Sequence, residues 1–515
     1  MSALLLSELI DGLGLAEPAE NAGGGLPHDP AISGVNHDSR AVSPGDLFVA
    51  WSGGRFDGRA FAPQAVERGA AAVVAPGARP AGIAAEVPWL SAENPRALLG
   101  TLSARAYGHP DRELILAGVT GTNGKSTVAT LLAAILEQAG QPAGFIGTLG
   151  YRLRGKSFPG ERTTPEASDL FRTLRAMRDA GAAAVAMEVS SHALEQGRAD
   201  GAEFDLALFT NLSRDHLDLH GDMESYFAAK RRLFTRLKPD GRAVINVDDE
   251  YGRRLAADLP GAWTYSVENG NPSGATVSAR DAKLDRHGLA ATVVVADPEG
   301  GSSDEFEIAS PLLGRYNLSN LVGAIAGALA LRTVEIPKSA ILAAAAAQRP
   351  VPGRMEPIDC GQPFAAIVDY AHTDAALSAA ISSVREIAPG RTIVVFGCGG
   401  DRDPGKRPVM GRVAGELADL AIATSDNPRS EDPHAILAAV EEGLRASGRN
   451  NYLLIPDRRD AIRTAIAAAE EGSAVLIAGK GHERDQTIGD RRLPFSDHEE
   501  IERALLERFG ARLGG

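Results

Sequence analysis

The chain has 515 residues, 44% hydrophobic and 23% charged, with a formal net charge of −14. That is the composition of a globular protein long enough for about three domains. The acidic balance disfavours nonspecific capture of nucleic acid or anionic membrane, which needs clustered Lys and Arg. Cys360 and Cys398 are the two cysteines, too few for a disulfide framework or a cysteine metal centre and consistent with a reducing compartment. The opening Met1-Ser-Ala-Leu-Leu-Leu has no basic flank and is soon interrupted by Glu8 and Asp11, so it does not read as a signal peptide. No uncharged apolar run reaches the length of a membrane span. A cytoplasmic enzyme is the expectation, without membrane insertion or nucleic-acid partner.

Residues 1 to about 107 mix short strands such as Asp46-Leu-Phe-Val-Ala50 and Ala70 to Val74 with a helix-like Phe61 to Gly69. Asn21-Ala-Gly-Gly-Gly-Leu-Pro is a flexible loop by composition. His37-Asp38-Ser39-Arg40 sets a hydroxyl and a guanidinium beside the turn Ser43-Pro44-Gly45-Asp46. By itself that stretch favours turn and cap chemistry over a site. Tyr107-Gly108-His109-Pro110 reads as a linker.

The next segment is the most informative. The apolar run Leu114 to Val119 enters Gly121-Thr122-Asn123-Gly124-Lys125-Ser126-Thr127, and Val128, Leu131, Leu132, Ile135 and Leu136 follow at helical spacing. Strand, glycine turn and helix make a phosphate cradle, in which backbone N–H groups converge and Lys125 and Ser126 serve phosphate and magnesium. The first glycine of the usual P-loop pattern falls at Val119, so the flanks carry the reading.

Apolar strands recur at Ala182 to Met187, Leu206 to Phe209 and Ala243 to Asn246 with helical patterns between them, the mark of a parallel sheet wrapped by helices. Ligands gather beyond the carboxyl ends of such strands. Glu188, ahead of Ser190-Ser191-His192, suits magnesium beside a nucleotide. The stretch from Asn211 to His220 is dense in polar groups and is either a ligand cluster or a polar loop capping a helix. Lys230 lies three residues after Phe227 and four before Phe234, on the apolar stripe of its helix, whereas Arg231 and Arg232 fall off it. An inward lysine must snorkel, find a carboxylate or lose its charge.

From about Pro272 to Phe306 alternating residues with Gly and Asp turns predict a small antiparallel excursion. An alanine-rich helix is then expected over Leu321 to Leu331, with Asn317 and Asn320 as caps or nucleotide contacts. Arg349-Pro-Val-Pro-Gly353-Arg354 is a stiff linker. Beyond it, strands at Ala365 to Asp369, Thr392 to Phe396, Leu420 to Ala423, Tyr452 to Ile455 and Ala474 to Ala478 alternate with helices, a second doubly wound unit. A dinucleotide fingerprint at Gly397 is disfavoured because its third glycine would be Arg402.

Together these residues resemble the Mur ligases, ATP-dependent amide-forming enzymes of peptidoglycan precursor synthesis. The likeness spans nearly the whole chain. It rests on Asp38-Ser-Arg, Pro44-Gly-Asp-Leu-Phe48, Thr120-Gly-Thr-Asn-Gly-Lys125, Thr163-Thr-Pro165, Glu188-Val-Ser-Ser-His192, Asn211-Leu-Ser-Arg-Asp-His216, Tyr226-Phe-Ala-Ala-Lys230, Asp369-Tyr-Ala-His372 and Gly479-Lys-Gly-His-Glu483. The resemblance implies three α/β domains. Residues 1–108 would bind the UDP-sugar peptide, residues 109–349 would form a central ATP-binding unit, and residues 350–515 a Rossmann-like unit for the incoming amino acid.

It also implies residue roles. Ser39, Arg40, Thr163, Thr164, Ser190, Gln196 and Arg198 would hold UDP-N-acetylmuramoyl-L-alanyl-D-glutamate. Gly121 to Thr127, with Asn320, Arg354, Asp369 and His372, would bind ATP. Ser126, Glu188, His216 and a carbamylated Lys230 would organise Mg2+, with Lys125, Glu188, His216 and Lys230 as the catalytic set. Asp426-Asn427-Pro428-Arg429 resembles the form that accepts meso-diaminopimelate, bound by these residues with Arg402, Gly479 and Glu483. A planar guanidinium such as Arg429 grips a carboxylate through two hydrogen bonds, and lysine would leave it unpaired. The resemblance departs at Asp374 and Ala375, where proline and an acidic residue are usual, which puts the first turn of that helix in question. A monomer is expected. The competing expectations are an L-lysine-adding or other Mur ligase and, more remotely, a non-catalytic nucleotide-dependent binding protein.

Overall fold

The computed structural model describes residues 4–15, 28–53, 57–158, 160, 162–271, 274–296 and 303–510. The glycine loop expected from Asn21 lies outside them, as do Met1 and Pro272. Among the described residues no helix is long and apolar enough to cross a membrane.

Three α/β units follow one another along the chain. The first is a four-stranded parallel sheet in the order Gly34–Asn36, Asp46–Val49, Ala72–Ala75, Trp89–Ser91. Val35, Leu47 and Val74 face one layer of core, and Phe48, Val73 and Trp89 face the other, as alternation along a strand buried on both faces requires.

The second unit is an eleven-stranded sheet. Its parallel heart runs Ala143–Gly147, Ala184–Glu188, Ile115–Thr120, Phe204–Phe209, Leu237–Asn246, Trp263–Ser266, Val277–Asp285. Helices Lys125–Gln138, Arg315–Ala330 and Lys338–Ala347 supply apolar side chains to one face, and Ala167–Asp179 and Met223–Arg231 to the other. The expected antiparallel excursion is present but is not a separate piece. Val277–Asp285, Gly288–Val295 and Asp304–Ser310 pair antiparallel and extend the main sheet. The strand expected from Ala243 begins earlier, at Leu237, because pairing with Phe204–Phe209 carries extended backbone through Lys238-Pro-Asp-Gly241, with a register shift between Phe204 and Leu206.

The third unit orders Glu356–Pro357, Ala365–Asp369, Ala474–Ala478, Thr392–Cys398, Leu420–Ser425, Tyr452–Leu454, all parallel except the first. The strand order reverses between the Asp369 and Cys398 ends, the crevice where doubly wound sheets bind ligands. The first turn at Asp374 is sound without proline: Thr373 caps Asp374–Ile387, its hydroxyl accepting from the Ala376 N–H.

One helix departs from expectation. Arg315–Ala330 starts well before Leu321, so Asn317 and Asn320 lie inside it rather than capping it. Gly314 occupies the cap position at φ 84°, and the Asn317 amide donates back to the Leu313 carbonyl at 2.9 Å. The amino end of this helix docks on the third unit. Tyr316 donates to Asp369 at 2.8 Å and Arg315 pairs with Glu386 at 3.1 Å.

Candidate active site

The phosphate loop is held by its neighbour rather than by itself. The Thr122 N–H donates to the Asn211 carbonyl at 2.8 Å and the Asn123 N–H to the Asn211 side chain at 2.9 Å. Both bracing groups come from the chain just beyond Phe204–Phe209. Gly121 and Gly124 adopt φ of 145° and 86°, and a Cβ there would collide with Thr210 Oγ1 and Asn320 Oδ1 respectively. Only glycine lets Thr210 and Asn320 approach this closely.

Two lysines converge on one carbonyl. Lys125 Nζ donates to the Gly121 and Thr122 carbonyls at 3.0 and 2.8 Å, and Lys230 Nζ to the same Gly121 carbonyl at 2.7 Å. Burial lowers the Lys125 ammonium, with Glu188 acting against it. Lys230 is 1% exposed, stands 4.5 Å from the centre of the Tyr226 ring, and forms no ion pair among the described residues. Burial, followed by repulsion from Lys125, pushes its ammonium well below the ordinary lysine value. Snorkelling is thereby removed, and the inward stripe places Lys230 as its spacing predicts.

A cavity of about 450 Å³ opens over this loop, lined by Thr122 to Thr127 from below and by Arg354, Asp369, Tyr370 and His372 of the third unit from above. Glu188 and His216 both line it, as do Thr163, Ser190 and Asn320. Glu188 is buried at its strand end, and both its carboxylate oxygens accept from Thr148, from the N–H at 2.9 Å and the hydroxyl at 3.2 Å. His216 sits in the left-handed region at φ 54°, with Nε2 3.3 Å from Asp215. Burial lowers its imidazole to about 4 against the pull of Asp215, so the ring is neutral near pH 7. Asp215 is itself 3.7 Å from His372 Nε2. Burial raises the Asp215 carboxyl, but hydrogen bonding and charge from His372 outweigh it and the net shift is downward. His372 Nδ1 donates to the Tyr370 carbonyl at 2.8 Å, since a carbonyl can only accept. Asp369 accepts from Tyr316, Met355 and Ala371, and Arg354 lies 4.4 Å from the Tyr370 ring centre. Burial raises the Asp369 carboxyl, opposed first by Arg354.

A second cavity of about 290 Å³ adjoins the first and shares Asp215, His216, Tyr370 and His372 with it. Arg402, Asp426, Asn427, Arg429, Gly479 and Glu483 line it, drawn from three strand ends of the third unit. Pro428 turns the chain but is not part of the wall. Arg429 holds a left-handed φ of 52°, fixed by its N–H to the Thr487 carbonyl at 3.1 Å and by the Gly489 N–H donating to its own carbonyl at 2.7 Å. The guanidinium is aimed by a bond of its own, Nη1 donating to the Gly400 carbonyl at 2.5 Å. Gly479, at φ 119°, lets Asp426 close in, since a Cβ would stand 2.6 Å from its carboxylate.

Of the remaining expected residues, Thr164, Gln196 and Arg198 lie apart from both cavities, at the junction of the first two units. Thr164 donates to the Glu188 carbonyl at 2.9 Å and accepts from the Ser190 N–H at 3.0 Å. Arg198 pairs with buried Glu166 at 3.0 Å and Gln196 bonds Arg96. Ser39 donates to Gln64 at 2.7 Å, and Arg40 is exposed, its guanidinium spent on Asp38. Ser39 and Arg40 are thus not gathered with the rest. Among the described residues no three His, Cys, Asp or Glu side chains cluster as a metal site.

Sequence reasoning passed over Thr148, Asp403 and Lys406, and gave Asp215 and Tyr370 no role beyond their place in a motif. Asp215 carried a signal, flanked as it is by Arg214 and His216 in the polar stretch from Asn211 to His220. Lys406, whose Nζ donates to the His372 carbonyl at 2.9 Å, carried none.

Residues 31–107 match a model described as the Mur ligase family catalytic domain, 119–328 the Mur ligase middle domain, and 353–481 the Mur ligase glutamate ligase domain. A Streptomyces coelicolor protein named UDP-N-acetylmuramoyl-L-alanyl-D-glutamate--2,6-diaminopimelate ligase is 45% identical over 99% of this chain and 98% of its own. One of the same name from Geobacter metallireducens is 43% identical, covering 95% and 96%. A solved structure of an enzyme so named superposes with TM-score 0.67 at 33% identity, over 98% of this chain and 99% of that one. A MurF ligase from Thermotoga maritima in complex with ADP reaches TM-score 0.61 at 17% identity, over 94% and 98%, a likeness of fold alone.

Proposed function

We infer the function from one premise: this chain belongs to the Mur ligase family. It is an ATP-dependent, amide-forming ligase of peptidoglycan synthesis. It joins meso-diaminopimelate to the D-glutamyl side-chain carboxylate of UDP-N-acetylmuramoyl-L-alanyl-D-glutamate. The observation that carries the reading is the pair of adjoining cavities, a phosphate cradle on one side and a pocket containing Arg429 on the other.

In this reading residues 1–108 and the Thr163, Thr164, Ser190, Gln196 and Arg198 group hold the nucleotide-sugar peptide, residues 109–349 hold ATP, and residues 350–515 hold the amino acid. The D-glutamyl carboxylate attacks the γ-phosphorus of ATP, the bond to the bridging oxygen breaks, and an acyl phosphate and ADP result. The amine of diaminopimelate then attacks the acyl carbon, phosphate leaves, and the nitrogen gives up a proton. Loop N–H groups and Lys125 take the phosphate charge, Lys125 exchanging its present carbonyl partners for phosphate oxygens. The third unit roofs the cavity and excludes water from the acyl phosphate. Arg429 and Arg402 receive the distal carboxylate, and Glu483 the distal ammonium.

Magnesium fits the donors: Glu188 offers carboxylate oxygens and Ser126 a hydroxyl, while Lys230, whose ammonium is disfavoured by burial, would become an oxygen ligand on adding carbon dioxide. Bound there with His216, the ion would neutralise charge on the transferring phosphoryl group. The reading is of a cytoplasmic monomer.

Phosphate release from ATP, with the UDP-dipeptide and either diaminopimelate or L-lysine, tests the proposal. Release with diaminopimelate is expected. A response to lysine alone overturns the amino-acid assignment, and a response to neither favours a binding protein.

A further inference from the structure

Lys480 follows the Ala474–Ala478 strand, is 0% exposed, and lines neither cavity. A buried ammonium persists only where partners take both its charge and its protons. Its Nζ donates to Glu483 Oε2 at 2.9 Å and to Asn427 Oδ1 at 3.2 Å, and both acceptors line the second cavity.

The contact fixes Asn427. An ammonium has donors and no acceptor, so the amide oxygen must face Lys480. The Thr487 N–H donates to that same oxygen at 2.9 Å. The amide nitrogen is thereby turned to Glu483, donating to Oε2 at 2.8 Å. Glu483 Oε2 is taken twice, while among the described residues Oε1 accepts from no protein group. One carboxylate oxygen is left for a ligand.

The contact also sets the charge. The cavity wall carries four cationic and five carboxylate side chains, and Lys480 behind it evens the balance. A balanced pocket suits a terminus bearing ammonium and carboxylate together. Without Lys480 the pocket turns net negative and favours a bare ammonium.

We propose that Lys480 is a positioning and specificity-determining residue, locking the Asn427 amide and the Glu483 carboxylate to receive the zwitterionic end of diaminopimelate and disfavouring lysine. This rests on the diaminopimelate-adding reading above. Lys480 touches no substrate and acts through Asn427 and Glu483.

The test uses the full-length enzyme and two variants, Lys480→Met and Lys480→Gln. Losing a charge-assisted hydrogen bond behind a ligand group is expected to raise the KM for diaminopimelate about tenfold in Lys480→Met. The KM values for ATP and for the UDP-dipeptide should stay within about twofold, since neither site is touched. The ratio of kcat/KM for diaminopimelate over lysine should fall about tenfold in both variants. Lys480→Gln, which keeps a donor without the charge, should show a smaller rise in KM for diaminopimelate than Lys480→Met. Unchanged diaminopimelate KM and ratio overturn the proposal, as does a parallel rise in all three KM values. Failure of both variants to fold, read by near-ultraviolet circular dichroism, makes the role structural and overturns it too. Absence of phosphate release by the unaltered enzyme with diaminopimelate would count against the functional reading instead.

Discussion

Lys230 shows how far one side chain can be read in advance. Its place between Phe227 and Phe234 told that it faces inward, and it is 1% exposed. The spacing did not tell that the carbonyl of Gly121 would be its acceptor, because that contact joins segments far apart in the chain. Burial without a carboxylate partner disfavours the Lys230 ammonium and so favours the amine form that adds carbon dioxide. With 13C-bicarbonate, a carbamate signal is expected in the carbon NMR spectrum of the unaltered enzyme and not in Lys230→Ala, whose turnover should be lost. His216 supports a second expectation. Its imidazole is lowered to about 4, first by burial, from an ordinary 6.5. Between those values the unfolded chain takes up a proton that the folded chain refuses, so stability falls as pH falls through that window. Urea midpoints at pH 7, 5.5 and 4.5 should drop less steeply for His216→Asn than for the unaltered chain. Lys480 was legible only as a letter in a glycine-rich turn, where no periodicity says which way a side chain faces.

Most strands and helices were legible because apolar runs and helical spacing report burial directly. The exceptions share a cause. Leu237–Asn246 crosses a Pro-Asp-Gly stretch that reads as a turn, and Arg315–Ala330 contains two asparagines that read as caps. In each, packing against a distant segment overrode local preference. The Arg458–Asp497 pair is likewise invisible in sequence. Both side chains are 0% exposed, with two bonds of 2.7 Å, and Arg458 also donates to the Ala478 carbonyl at 2.9 Å. This pair ties Arg458–Ala468 and Asp497–Phe509 to the strand end that carries Gly479. Asp497→Asn leaves a buried guanidinium without its counter-charge and should cost about 3–5 kcal/mol, measured by urea unfolding.

At the scale of the molecule, chain length and the linkers at Tyr107 and Arg349 suggested three successive units, whereas the apposition of the second and third was suggested by the family resemblance alone, since no local pattern reports it. The site exists only where the second and third units meet, through Tyr316 on Asp369, Asp215 beside His372, and Arg214 3.3 Å from Asp403. The last pair is partly exposed, and such pairs contribute roughly 0.2–1 kcal/mol. Arg214→Asp should therefore lower kcat by no more than about fivefold in low salt, and Arg214→Asp with Asp403→Arg should restore it. The common wall of Asp215, His216, Tyr370 and His372 between the two cavities has a pharmacological meaning. Two weak fragments, a phosphate mimic for one chamber and an amino-acid mimic for the other, would need only a short tether around four side chains. Once the first fragment is seated, the second meets its chamber at an effective concentration in the millimolar range, so modest affinities would combine into a potent bisubstrate inhibitor.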